Sequence, residues 1–125
     1  MALNETPSGT GAVSSVLGPV RFTVAIPIPD AKGEGRGEVV TFVVNGLVVP
    51  RVGERVIFDV DGDDIVLDVM DVAHWFFTPN DGPRQREIVV SVTVQWPDTD
   101  DARKLLDPVE YERWVARFAM LESDR

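Results

Sequence analysis

Asp59, Asp61, Asp63 and Asp64 crowd four carboxylates around Gly62. Oxygen ligands at such short spacing are what a hard divalent cation, calcium or magnesium, takes. The spacing departs from a helix–loop–helix calcium loop. Counted from Asp59, the glycine falls fourth rather than sixth, and no glutamate falls twelfth. On the two arms of a tight hairpin these side chains diverge, so a solvated acidic turn accounts for them. They are the candidate metal site, and their pattern favours the solvated turn.

His74 is the only histidine, which excludes a histidine-rich metal centre. As a general base it would need an orienting carboxylate, from Asp68 or Asp71, and a hydroxyl across a strand pair, from Ser91 or Thr93. No nucleophile elbow accompanies it. It reads instead as a histidine packed beside Phe76. The chain has no cysteine, so disulfides, thiolate nucleophiles and cysteine-type zinc sites are excluded. No catalytic residue and no cofactor is assigned.

Trp75, Trp96 and Trp114 are the three tryptophans, most simply read as core and helix-docking residues, though aromatics are also enriched at interfaces. Alternation along the chain places His74 and Phe76 on one face and Trp75 and Phe77 on the other. Large aromatics on both faces of a strand require both faces to be covered. His74, Trp75, Phe76, Phe77 and Trp96 are therefore the candidate interface, with a homodimer around them as one solution.

Lysine and arginine total 12 against 21 aspartates and glutamates, a formal charge of −9. That field opposes phosphate backbones and anionic membrane surfaces, and favours solubility and basic protein partners. Six carboxylates lie between Asp98 and Glu112, beside only Arg103 and Lys104 in their first half. Acidic groups at helix starts are favourable in themselves. The sharper alternative is a mimic of nucleic-acid charge, an acidic inhibitor. No basic and apolar leader opens the sequence, and nothing nears the roughly 18 apolar residues of a membrane span. A cytoplasmic chain without nucleic-acid or membrane partners is expected.

The elements that must position these groups are mostly strands. Val20 to Ile26 alternates with the period of a half-buried strand, broken by Pro27-Ile28-Pro29. Val39–Val44 follows. Asn45-Gly46 reads as a hairpin turn into a short strand, Leu47–Val49. Arg55–Val60 and a long strand from Ile65 to Phe77 flank the Asp61-Gly62 turn. Asp71 would fall on the apolar face unless a bulge near Met70 resets the register. Ile88–Trp96 alternates most cleanly of all. Asp98 to Leu106 reads as a helical turn. Asp107-Pro108-Val109-Glu110 starts a helix with an aspartate cap, proline at the first position and a glutamate placed for a capping box. Tyr111, Trp114, Val115, Phe118 and Leu121 continue it at helical spacing.

The expected fold is mainly β: a small, mostly antiparallel, strongly curved sheet or barrel with one C-terminal helix packed on it. Residues 1–18 form a flexible tail, 19–97 the sheet and 98–125 the helical segment of one domain. Lys32–Gly37, with its repeated glycines, is expected to be a mobile loop rather than a dinucleotide fingerprint. The helix is expected to cover the face bearing Trp75 and Phe77. The function these features favour is a non-enzymatic protein-interaction or assembly module. The alternative is a small enzyme or ligand-binding barrel built on His74 and nearby carboxylates.

Overall fold

Alternating apolar side chains along five segments build one sheet in the computed structural model, which describes residues 20–30, 37–78 and 90–124. The strands are β1 Val20–Ile28, β2 Glu38–Gly46, β3 Arg55–Val60, β4 Asp63–His74, β5 Val90–Gln95 and a short β6, Leu121–Ser123. Two helices, α1 Thr99–Lys104 and α2 Pro108–Arg117, lie between β5 and β6. Sheet order is β3-β4-β5-β1-β2-β6. Pairing is antiparallel throughout except between β1 and β5. The sheet curls strongly into a half-barrel with the helices packed on it. The expected N-terminal tail, nearly all of the glycine loop and most of the turn after Thr78 lie outside the described residues.

Concave-face positions follow the sequence period. Phe22, Val24, Ile26 and Ile28 of β1, Val40 and Phe42 of β2, Leu67 and Val69 of β4, and Val92 and Val94 of β5 are all buried. The β4–β5 register shifts between Val69 and Asp71, the bulge that the polarity of Asp71 demands. Pro27 does not end β1, which continues to Ile28 with Pro27 opposite Val39. It lies beyond Ala25, the last β1 residue paired with β5, where a missing donor is tolerated.

Two turn and strand expectations are corrected. Asn45-Gly46 is no hairpin turn; β2 runs through it, with Gly46 opposite Val20. Asn45 is buried instead. Its backbone N–H donates to Met120 O at 2.8 Å, and its Nδ2 donates to Glu122 Oε2 at 2.7 Å. A tertiary hydrogen-bond network thus overrides the local turn preference of Asn-Gly. Leu47–Val49 forms no strand, because the chain has left the sheet at Gly46. The sixth strand is β6, against β2.

The C-terminal helix starts as read and stops early. Asp107 caps α2 by accepting from Val109 N at 2.9 Å, and Pro108 is its first residue. No capping box closes: Glu110 accepts from Arg113 at 2.8 Å. Phe118 is already extended, so Leu121 joins the core from β6 rather than from the helix. A second helix, α1, is capped by Asp98, which accepts from Asp101 N.

The helix does not cover Trp75, which is 55% exposed. It fills the concave face through Tyr111, Trp114 and Val115. The Trp114 ring lies 5.1 Å from Phe58, 5.3 Å from Trp96 and 5.1 Å from Phe118. Phe118 lies 4.9 Å from Phe58. The concavity of the half-barrel offered the larger apolar surface, while β4 ends at His74 and leaves Trp75 beyond the sheet. Tyr111, fully buried, donates its hydroxyl to Thr41 O at 2.6 Å and accepts from Asp124 N at 3.0 Å.

Truncating Trp114 to alanine removes the centre of this cluster and is expected to destabilise the fold by about 3–5 kcal/mol. Its buried indole N–H has no hydrogen-bond partner among the described residues. Trp114→Phe keeps much of the ring and discards that unpaired donor, so it should cost markedly less. Tyr111→Phe strips a satisfied network and should cost about 1–3 kcal/mol. Urea unfolding of the three variants checks the order; an alanine variant as stable as the parent would show that α2 is not docked as described.

Candidate functional site

The acidic hairpin is a two-residue turn. Val60 pairs with Asp63, leaving Asp61 and Gly62 between them, both with positive φ (52° and 91°). That is the backbone of a type I′ turn, which Asp-Gly favours. Asp59 Oδ1 accepts from Gly62 N at 2.9 Å and so braces the turn. Asp59 and Asp64 stand directly opposite one another, while Asp63 lies one position along, on the other face. Among the described residues no three histidines or carboxylates come together in a way that would hold a metal ion.

The bulge separates His74 from Asp68, and strand alternation separates it from Asp71. Beyond it, Val72 pairs with the fully buried Val92, so Val72 and His74 face the concave side. Asp71 pairs with Thr93 and faces out, as does Asp68. The histidine and the two carboxylates therefore sit on opposite faces of β4, and no hydrogen bond joins them. Among the described residues, no helix is long and apolar enough to cross a membrane.

The carboxylates from Asp98 to Glu112 have local work. Asp98 and Asp107 are helix caps. Asp100, Asp101 and Glu110 pair with Arg103, Lys104 and Arg113 at 3.4, 3.2 and 2.8 Å. Glu112 accepts from Ser123 Oγ at 3.1 Å.

The feature that stands apart from ordinary packing is an apolar surface at one end of the sheet. His74, exposed at the end of β4, lines a shallow cavity of about 350 Å³ with Val49, Pro50, Arg51, Val52 and Val72. Large apolar side chains flank it. Leu47 is 78% exposed and Val48 72% on the incoming segment, and Val52 projects from the turn. Trp75 is 55% exposed and Phe76 91% on the segment leaving β4. Phe77 is half-buried. Trp96 does not join this surface, being buried against Trp114 in the core. The contributions of Leu47, Val48 and Val52 escaped the sequence reading because Leu47–Val49 resembles a strand. Its brevity, between Asn45-Gly46 and Pro50, was the signal that it lies outside the sheet.

The turn beneath this surface is held firmly. Glu54 Oε1 accepts from Arg51 N at 2.7 Å, and Oε2 accepts from Arg51 Nη2 at 3.0 Å. Gly53 N donates to Val69 O, and Val69 N to Glu54 O, at 3.1 and 2.9 Å, clamping the turn to β4. Gly53 has φ +90°, which suits glycine.

At the opposite end of the strands lies a larger open groove of about 640 Å³. Pro27, Pro29, Val39, Met70 and Pro97 give it an apolar lining, and Glu38 is its one ionisable residue among those described. A side chain at Gly37 would run into the Ile28 carbonyl.

No protein-family model matches the chain, and neither does any curated protein or solved structure.

The Arg51 backbone N–H, and then its guanidinium, hold the Glu54 carboxyl below the ordinary glutamate range. A depressed folded-state value makes the contribution of the turn complete above the unfolded glutamate value, and removes it as pH falls through the folded one. An NMR titration should therefore find Glu54 protonating below the usual glutamate midpoint. Glu54→Gln should speed amide exchange at Gly53 and Val69 at neutral pH. A normal midpoint for Glu54 would mean that the turn is not braced in this way.

Proposed function

We propose that this chain is a non-enzymatic protein-interaction module, and that it meets its partner through Leu47, Val48, Val52, Trp75 and Phe76. The observation that carries this reading is the exposure of Phe76 and its neighbours around the His74 cavity. Exposed apolar patches of this kind mark contact surfaces, and aromatic anchors dominate binding energy when they enter a partner's pocket. The braced Arg51–Glu54 turn presents part of the surface in a preformed shape, which lowers the ordering cost of association. The partner is a protein with an apolar pocket for Phe76 and a basic rim, complementary to a chain of charge −9.

The separation of His74 from Asp68 and Asp71 supports this reading over an enzyme. The local pairing of the Asp98–Glu112 carboxylates supports it over a mimic of nucleic acid. Self-association through His74–Phe77 would use the same side chains, and the experiment separates the two.

Wild-type and Phe76→Glu chains, immobilised in parallel, should differ in what they capture from the native organism. A basic protein partner is expected on the wild type and not on the variant, with unchanged melting temperature because the side chain is exposed. Equal capture of that partner by both chains would reject this surface. Capture of this chain itself, lost in the variant, would favour self-association there instead.

A further inference from the structure

β3 is an edge of the sheet, with only β4 beside it. In a two-residue hairpin the residues flanking the turn exchange both backbone hydrogen bonds, and every second pair along the ladder does the same. The bonded pairs are then Val60–Asp63, Phe58–Ile65 and Val56–Leu67. The N–H and C=O groups of Arg55, Ile57 and Asp59 consequently point away from β4, and no described segment pairs with them. Their side chains share the outer face and are exposed, Ile57 at 53%.

Natural edge strands often carry charges that repel another edge. Here the charges are of opposite sign and lie symmetrically, two residues either side of Ile57. We propose that β3 pairs antiparallel with β3 of a second copy, on a two-fold axis through Ile57. Arg55 then faces Asp59 of the other copy, and Asp59 faces Arg55, while the two Ile57 side chains meet at the axis. The outward backbone groups of all three residues find partners in the same register. Isologous pairing of this kind closes as a dimer, because one edge is consumed by each copy.

Two further observations fit this partner. Asp59 and Asp64 are like charges placed directly opposite one another, which is destabilising in a sheet. The incoming Arg55 offsets that repulsion. Arg55 is exposed and stands opposite Asp68, yet it makes no ion pair among the described residues. On the concave side, Val56 is only partly buried and would face Phe58 of the second copy.

The dimer rests on Arg55, Ile57 and Asp59, none of which belongs to the Phe76 surface, so the two proposals fail separately. Sedimentation equilibrium from micromolar to millimolar concentration should show the wild type shifting from 13.8 kDa toward twice that mass. Ile57→Lys, which sets lysine against lysine at the axis, should leave a monomer, and Phe76→Glu should still dimerise. Arg55→Asp and Asp59→Arg each place like charges opposite one another twice, and each should weaken the dimer by roughly tenfold or more given the usual strength of cross-strand charge pairs. Mixed together, the two variants should recover dimer, since every aspartate then faces an arginine. Circular dichroism checks that each variant is folded. A wild type that stays at 13.8 kDa throughout overturns the inference. So does a dimer indifferent to Ile57→Lys, or a dimer lost in Phe76→Glu, or the absence of recovery on mixing two folded variants.

Discussion

The aromatic cluster of Phe58, Trp96, Trp114 and Phe118 is what allows a half-barrel to exist as a folded unit. An open, strongly curled sheet exposes its concave face unless something fills it. Here the helices do so, and the tryptophan of α2 meets three rings at 5.1–5.3 Å, two of them edge-on. Those rings come from β3, from the residue just after β5, and from the end of α2. The cluster therefore ties the free edge of the sheet to its middle through the helix. Offset and edge-on ring pairs add about 0.5–1.5 kcal/mol each beyond burial.

Buried polar groups set where that helix sits. Tyr111 carries its hydroxyl to the backbone of β2 and to the backbone of Asp124, and Asn45 reaches Met120 and Glu122. Each donor and acceptor is satisfied only when the C-terminal segment lies along β2 in one register. Apolar contacts tolerate sliding, whereas unpaired buried polar groups do not. The short β6 is thus held in place by side chains as much as by its own ladder.

With the concave face filled, two surfaces stand out among the described residues. One is apolar, where the chain leaves β2 and β4 at the same end. The other is the backbone of the β3 edge with its symmetric charges. The bulge turns His74 away from Asp68, and strand alternation sets it opposite Asp71. A single inserted residue thus does two things: it keeps Asp71 out of the core, and it separates His74 from Asp68.

The sequence by itself determined the alternating strands, the Asp61-Gly62 hairpin, the bulge at Met70 and the capped start of α2. Each depends on interactions within a few residues: side-chain period, turn backbone preference, or a cap within one helical turn. Only the tertiary structure decided that Asn45-Gly46 stays in β2, that Leu121 returns to the sheet, and that α2 enters the concavity rather than covering Trp75. Those outcomes turn on partners distant in the chain, such as Met120 for Asn45 and Phe58 for Trp114. The candidate surface divides in the same way. Trp75 and Phe76 were legible as aromatics in excess of what one face can bury. Leu47, Val48 and Val52 joined them only because the chain leaves the sheet at Gly46, a consequence of a hydrogen bond some seventy-five residues away.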